Sequence, residues 1–137
     1  LMVAGPGVTP RLVNEPVSTL DINPTLADLA GIDIGEILPW TDGESLVPLM
    51  QGGKRTTPVL MEYTAEGSQA PLVCIREGDW KFSHCELDPP MLFILKDDPQ
   101  EMNNLAADPA HAAVVAKWME RVRARWSSPV AAWSSGR

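Results

Sequence analysis

Apolar residues first fall at helical spacing in "STLDINPTLADLAG", residues 18–31. Leu26, Leu29 and Ala30 make a stripe, Asn23 is placed to cap, Pro24 suits the first helical position and Gly31 ends the run. Ser18-Thr19-Leu20-Asp21 has capping-box form and predicts an extra turn starting at Ser18. Upstream, the apolar run of residues 1–4 reads as a buried strand entered partway, and Ala4-Gly5-Pro6-Gly7-Val8 turns the chain out of it. That glycine-containing turn matches neither a dinucleotide-binding loop nor a P-loop. Residues 32–44 are predicted as a loop with an Asp42-Gly43 turn, and residues 45–50 as a short helix ended by Gly52-Gly53.

Beyond residue 57 the period shortens to that of strands. Residues 58–63, 72–76, 80–84 and 91–95 are predicted strands. Glu77-Gly78-Asp79 joins the second and third as a hairpin, and Asp88-Pro89-Pro90 is the turn before the fourth. Asp98-Pro99-Gln100-Glu101 has capping-box register for a turn or two of helix. Asp108-Pro109 opens a final helix on which Val115, Trp118, Met119, Val122 and Trp126 share one face. Arg121, Arg123 and Arg125 fall in its last turns, where positive charge complements the helix dipole. The second half is therefore a small antiparallel sheet with one amphipathic helix, and the class is α/β, α+β in this portion.

Length and charge narrow the picture. The 137 residues suffice for one core and not for two. A net charge of −7 disfavours nucleic acid and anionic membranes as partners and weakly favours a cationic ligand. No apolar run is long enough to cross a bilayer. Cys74 and Cys85 suit a reducing, cytoplasmic compartment, although the two hairpin arms that carry them leave a disulfide open. The entry into the chain inside an apolar run, and the "SSPVAAWSSGR" ending with Trp133, lead us to expect a piece of a larger protein.

Few residues offer chemistry. His84 and His111 are the only histidines, and no nucleophile elbow is present. His111 falls in a first helical turn and reads as a surface residue. His84 and Cys85 are adjacent on a strand and point to opposite faces, so they cannot ligate one metal together. Asp97, Asp98 and Glu101 lack the spacing and central glycine of a calcium loop. Trp80, Phe93, Trp118 and Trp126 follow element periodicity and are expected in the core.

The stretches "AGPGVTP", "VSTLDINPTLADLAGI" and "DGESLVPLM" resemble the distal part of the sulfatase catalytic domain, within the alkaline-phosphatase superfamily. "GDWKF" and "MLFILKDDPQEMNNLAADP" resemble the C-terminal subdomain that follows it. Residues 62–93 and 103–118 are similar to the choline-sulfatase branch. Ile94 departs from the aspartate common at that point in the family. The resemblance implies residues 1–56 as the end of a large sheet sandwich, 57–126 as the C-terminal subdomain and 127–137 as a disordered tail. It implies hydrolysis of a sulfate ester, choline sulfate in the narrow case, by a formylglycine held with a divalent cation, calcium, and a homo-oligomeric full-length enzyme. The C/S-x-P-x-R motif that yields formylglycine is absent from these residues, as are Asp-rich metal motifs, so the chain by itself is expected to be inactive.

One segment fits such a substrate. A quaternary ammonium is held by carboxylates and aromatic faces, and Glu62, Tyr63 and Glu66 offer both at a strand end. The alternative for that segment is two solvated glutamates and a packed tyrosine. For the whole chain, the alternatives are another sulfatase, a phosphonate monoester hydrolase, or a non-catalytic interaction module.

Overall fold

A computed structural model describes residues 1–55, 57–64, 66–67 and 70–126, without the side chains of the last two. The expected tail at 127–137, Trp133 within it, and the Trp126 side chain lie outside the described residues. Two compact units divide the chain, Leu1–Pro58 and Val59–Arg137. No helix among the described residues is long and apolar enough to cross a membrane.

In the first unit the Ser18 capping box forms as expected. Its hydroxyl accepts from Leu20 N, and the Asp21 carboxylate takes the Ser18 amide at 2.7 Å. The resulting 3-10 turn, Thr19–Asp21, runs directly into α1, Ile22–Leu29. Asp21, not Asn23, therefore occupies the N-cap position, and Pro24 is third in the helix. A proline is tolerated there because first-turn amides have no acceptor inside the helix. Two further one-turn helices follow, α2 at Ile34–Ile37 and α3 at Val47–Met50. The first of these corrects the expected plain loop: Asp33 caps it by accepting from Gly35 N at 2.8 Å.

The packing of α1 reverses the expected one. Pro24, Thr25 and Ala27 are buried, whereas Leu26 and Leu29 are exposed. What holds the inner side is polar. Asp21 is fully buried and accepts from Ser18 N, from Glu44 N at 2.9 Å and from both terminal nitrogens of Arg55, at 2.6 and 3.2 Å. Thr25 Oγ1 donates to Asp21 O at 2.6 Å and accepts from Leu46 N at 2.8 Å. Gly43 lies so close to the Leu20 carbonyl that no side chain would fit. Residues 1–4 are a second correction. They form no strand, and Leu1 and Met2 are 79% and 92% exposed. A buried strand needs partners for its backbone groups, and the first unit contains no strand among its described residues.

The second unit holds one antiparallel sheet in the order β1-β2-β3-β4, with β1 at Val59–Tyr63, β2 at Leu72–Glu77, β3 at Trp80–Cys85 and β4 at Asp88–Ile94. Glu77 pairs with Trp80, so the hairpin loop is only Gly78-Asp79, and Gly78 supplies the positive φ (+55°) that such a tight loop needs. The next turn is Glu86-Leu87, because Cys85 pairs with Asp88. Pro89 and Pro90, expected in that turn, instead lie inside β4. They are accommodated because β4 is an edge strand, where an amide facing outward has no ladder partner. Asn104 closes that edge: its Oδ1 accepts from Leu92 N at 2.9 Å, and its Nδ2 donates to Pro90 O at 3.2 Å.

Leu60, Ile75, Phe82 and Leu92 align in register across all four strands. Against this row packs α4, Ala112–Trp126, through Trp118 and Val122, with Val114, Val115 and Met119 at the margin. Phe82 and Trp118 stack with ring centroids 6.5 Å apart. Asp108 caps the Pro109–His111 turn that leads into α4, accepting from Ala110 N at 2.9 Å. The 98–101 helix start does not form. Asp98 instead accepts from Met102 N and Asn103 N, Glu101 adopts a φ of +56°, and its carboxylate is spent on Lys81 at 2.6 and 2.7 Å. Cys74 and Cys85 are buried free thiols. His111, expected at the surface, is partly buried with its ring edge-on to Trp80, 5.9 Å between centroids.

Candidate functional site

β1 buries only its first residue fully. Val59 is in the core, Leu60 packs at its margin, and Met61, Glu62 and Tyr63 are exposed. The strand thus leaves its sheet partly solvated where the candidate segment begins. Past Tyr63 the chain turns back, with Gly67 at a φ of +87°. The Tyr63 hydroxyl donates to the Glu66 carbonyl at 3.1 Å and so fixes the Glu66 backbone beside the phenol. The Tyr63 ring is 50% exposed, neither packed away nor free in solvent.

Strand alternation separates the three residues. Directly paired residues share a face. Glu62 pairs with Val73, and Val73 with His84, which places Glu62 and His84 in one row on the face that α4 covers. Tyr63 pairs with Leu72 on the other face. The fold therefore joins Tyr63 to Glu66 and turns Glu62 to the opposite side. A single cage of all three does not form.

The irregular pairing beside His84 had no signal in the sequence. A register shift at Ser83/Cys85 drops His84 from pairing with β4; bulges of this kind re-aim side chains and are common beside functional sites. Its Nδ1 is buried without a hydrogen-bond partner. Burial holds the imidazole below its ordinary pKa; Glu86 opposes that effect and Arg123 reinforces it.

Elsewhere in the second unit, Arg121 binds Glu77 at 2.8 Å while its guanidinium lies 5.1 Å from the Trp118 ring, so that cation serves the fold. In the first unit an apolar groove is lined by Met2, Val3, Val8, Leu12, Leu46 and Leu49, and it contains none of the candidate residues. No group of three or more His, Cys, Asp or Glu among the described residues is placed to hold a metal ion. The segment brings together an exposed aromatic ring and the backbone of a glutamate at one turn. It presents no nucleophile.

Comparison with known proteins sets this geometry in context. The family model for "N-sulphoglucosamine sulphohydrolase, C-terminal" matches residues 1–127. The choline-sulfatase of Rhizobium meliloti (strain 1021) is 62% identical over 109 residues, covering 80% of this chain and 21% of that protein. The chicken (Gallus gallus) arylsulfatase K is 35% identical over 119 residues, covering 77% and 22%. Among solved structures, a 2-O GAG sulfatase superposes with a TM-score of 0.66 at 30% identity, covering 83% of this chain and 26% of that one. The chain thus spans about a fifth of the length of the curated relatives it matches.

Proposed function

The chain belongs to the sulfatases, through the C-terminal family that its residues 1–127 match, and from that premise we propose that it serves a sulfuric ester hydrolase acting on choline sulfate. The observation that carries the substrate is the 62% identity to a choline-sulfatase, well above the 35% to an arylsulfatase. The cytoplasm is the compartment that the two free thiols favour, and a homo-oligomeric full-length enzyme is part of the same reading.

The formylglycine and divalent cation of sulfatase chemistry do not fit the residues present, which include neither the C/S-x-P-x-R motif nor a cluster of metal donors among the described residues. The role we assign to this chain is recognition. The Tyr63 ring and the Glu66 carboxylate, joined at one turn, meet the trimethylammonium end of the substrate, with Glu62 as the alternative carboxylate from the other face. An ammonium of this kind has no N–H to donate, so a ring face and a negative charge are what a protein can offer it. Tyr63 adds rigidity: with its hydroxyl committed to Glu66 O, the ring is held in place before substrate arrives.

The test compares Glu62→Gln, Glu66→Gln and Tyr63→Leu in the intact enzyme that carries this region. A charge-assisted contact to a desolvated cation is worth about 1–3 kcal/mol, roughly a tenfold to hundredfold fall in kcat/KM. That fall is expected on choline sulfate and not on a neutral aryl sulfate. Equal loss on both substrates, or no loss in any variant, would sink the assignment.

A further inference from the structure

The face of the sheet away from α4 carries sulfur that the candidate site does not use. Val73, Ile75, Phe82 and Leu92 pack toward α4, so their chain neighbours Cys74, Ser83 and Met91 lie on the opposite face. Register joins these into one row, Met61–Cys74–Ser83–Met91, across all four strands. In the next row Leu72 pairs with Cys85, which makes the two thiols diagonal neighbours on this face. Both are free and buried, Cys74 at 5% and Cys85 at 8% exposure, whereas Met61 at the end of the row is 44% exposed. Sulfur thus runs inward from solvent: an accessible thioether, a thiol directly opposite it, and a second thiol one diagonal further.

Diagonal spacing decides what the two thiols can do. The Cβ atoms of diagonal neighbours are about 7 Å apart, and a disulfide holds its Cβ atoms at about 3.5–4.5 Å. The pair therefore closes no disulfide within this sheet. A metal ion between the sulfurs lengthens the link by a second bond. Two metal–thiolate bonds of about 2.3 Å each let the sulfurs stand roughly 4.6 Å apart, and the two Cβ–Sγ bonds make up the remainder.

We propose that Cys74 and Cys85 bind one soft monovalent cation of the copper(I) class, with the Met61 thioether as third donor and point of entry. Thiolate and thioether select such an ion, whereas calcium and magnesium require oxygen ligands. Each thiol releases its proton to solvent as its sulfur–metal bond forms, so the bis-thiolate copper(I) unit carries one net negative charge. Arg76, two residues beyond Cys74 on the same face, supplies the opposite charge. Cys85 gives up its weak S–H contact with the Ala70 carbonyl, 3.9 Å away, in exchange for the metal bond. The bound ion ties β2 to β3 from the side that α4 does not cover. This site is independent of choline sulfate as the substrate.

The experiment titrates the whole 137-residue chain, reduced and anaerobic, with copper(I) in competition with the chromogenic chelator bicinchoninate. Wild type is compared with Cys74→Ser, Cys85→Ser, Met61→Leu and Met102→Leu, the last removing a thioether that is 83% exposed beyond β4. Near-ultraviolet dichroism of the metal-free forms verifies their folds. Cys74→Ala and Cys85→Ala take the place of any serine variant that does not fold, since they remove the sulfur without burying a hydroxyl. Wild type is expected to take up one copper per chain, to gain thiolate-to-copper charge-transfer absorption and to melt at a higher temperature. Affinity is expected to fall roughly hundredfold or more in either cysteine variant and about tenfold in Met61→Leu, and to stay unchanged in Met102→Leu. Failure of wild type to draw copper from the chelator overturns the proposal, as does a cysteine variant that binds as tightly as wild type. So does one copper shared between two chains. Loss of the near-ultraviolet signal on binding also overturns it, because the metal would then be held by unfolded chain.

Discussion

Asp21 combines zero exposure with four accepted hydrogen bonds, two of them from one guanidinium. Burial acts to raise its pKa. The Arg55 hydrogen bonds, the amides of Glu44 and Ser18 and the Arg55 charge together outweigh it, and the carboxyl is held below its usual range. The stabilisation is therefore present above about pH 4 and lost as pH falls through the depressed value. Asp21→Asn leaves Arg55 buried with no countercharge from that position, which costs about 3–5 kcal/mol, read as a drop in the denaturant midpoint of the first unit. His84 works in the same direction by a different route. Its lowered pKa means that the unfolded chain takes up the proton first, so stability is full above about pH 6.5 and declines below it. A melting-temperature series against pH is expected to lose its upper inflection in His84→Gln and to keep the lower, Asp21-dependent one.

At the scale of elements, the sheet and α4 depend on one aromatic anchor. Trp118 is 1% exposed, stacks on Phe82 and carries Lys117 and Arg121 over its ring. Trp118→Ala is expected to cost about 3–5 kcal/mol, whereas Lys117→Ala removes only an exposed cation and shifts the denaturant midpoint by little. Periodicity made this helix legible: Val115, Trp118, Met119 and Val122 sit where the pattern puts them. The capping box at Ser18 and the N-cap at Asp108 were legible as well, since both signals are local. The misses share a cause as well. Leu26 and Leu29 look like a core stripe because periodicity finds an apolar face without revealing what covers it. Pro89-Pro90 reads as a turn until β4 is known to lie at an edge. Glu101 leaves its predicted cap because Lys81, twenty residues earlier, competes for it. In the candidate site, the family resemblance and the chemistry of carboxylate and ring picked out Glu62, Tyr63 and Glu66. Their division between two faces followed from alternation, whereas the bulge that drops His84 from pairing with β4 is a pairing event with no local mark.

For the whole molecule, the exposed stripe of α1 and the apolar residues 1–4 leave aliphatic surface open to water in the first unit. The purified chain alone is expected to bind a hydrophobic dye and to self-associate as its concentration rises; a monodisperse monomer with a cooperative melt and no dye binding would contradict this. It is also expected to show no turnover of choline sulfate or an aryl sulfate, with or without added calcium, because C/S-x-P-x-R is missing from its sequence. Chelator-sensitive turnover by the 137-residue chain is the outcome that would refute this expectation.

The Asn104 clip on β4 also gives the sheet a polarity. Pro90 has no amide to offer a newcomer, and Asn104 already occupies the carbonyl of Pro90 and the amide of Leu92. A foreign strand meets a sealed margin on that side, so any templated growth has to start from β1 and proceed in one direction. In the vocabulary of polymers, Asn104 is a chain terminator. Removing its side chain would release only the Leu92 amide and the Pro90 carbonyl, and the two prolines would still act as a second stop on that margin.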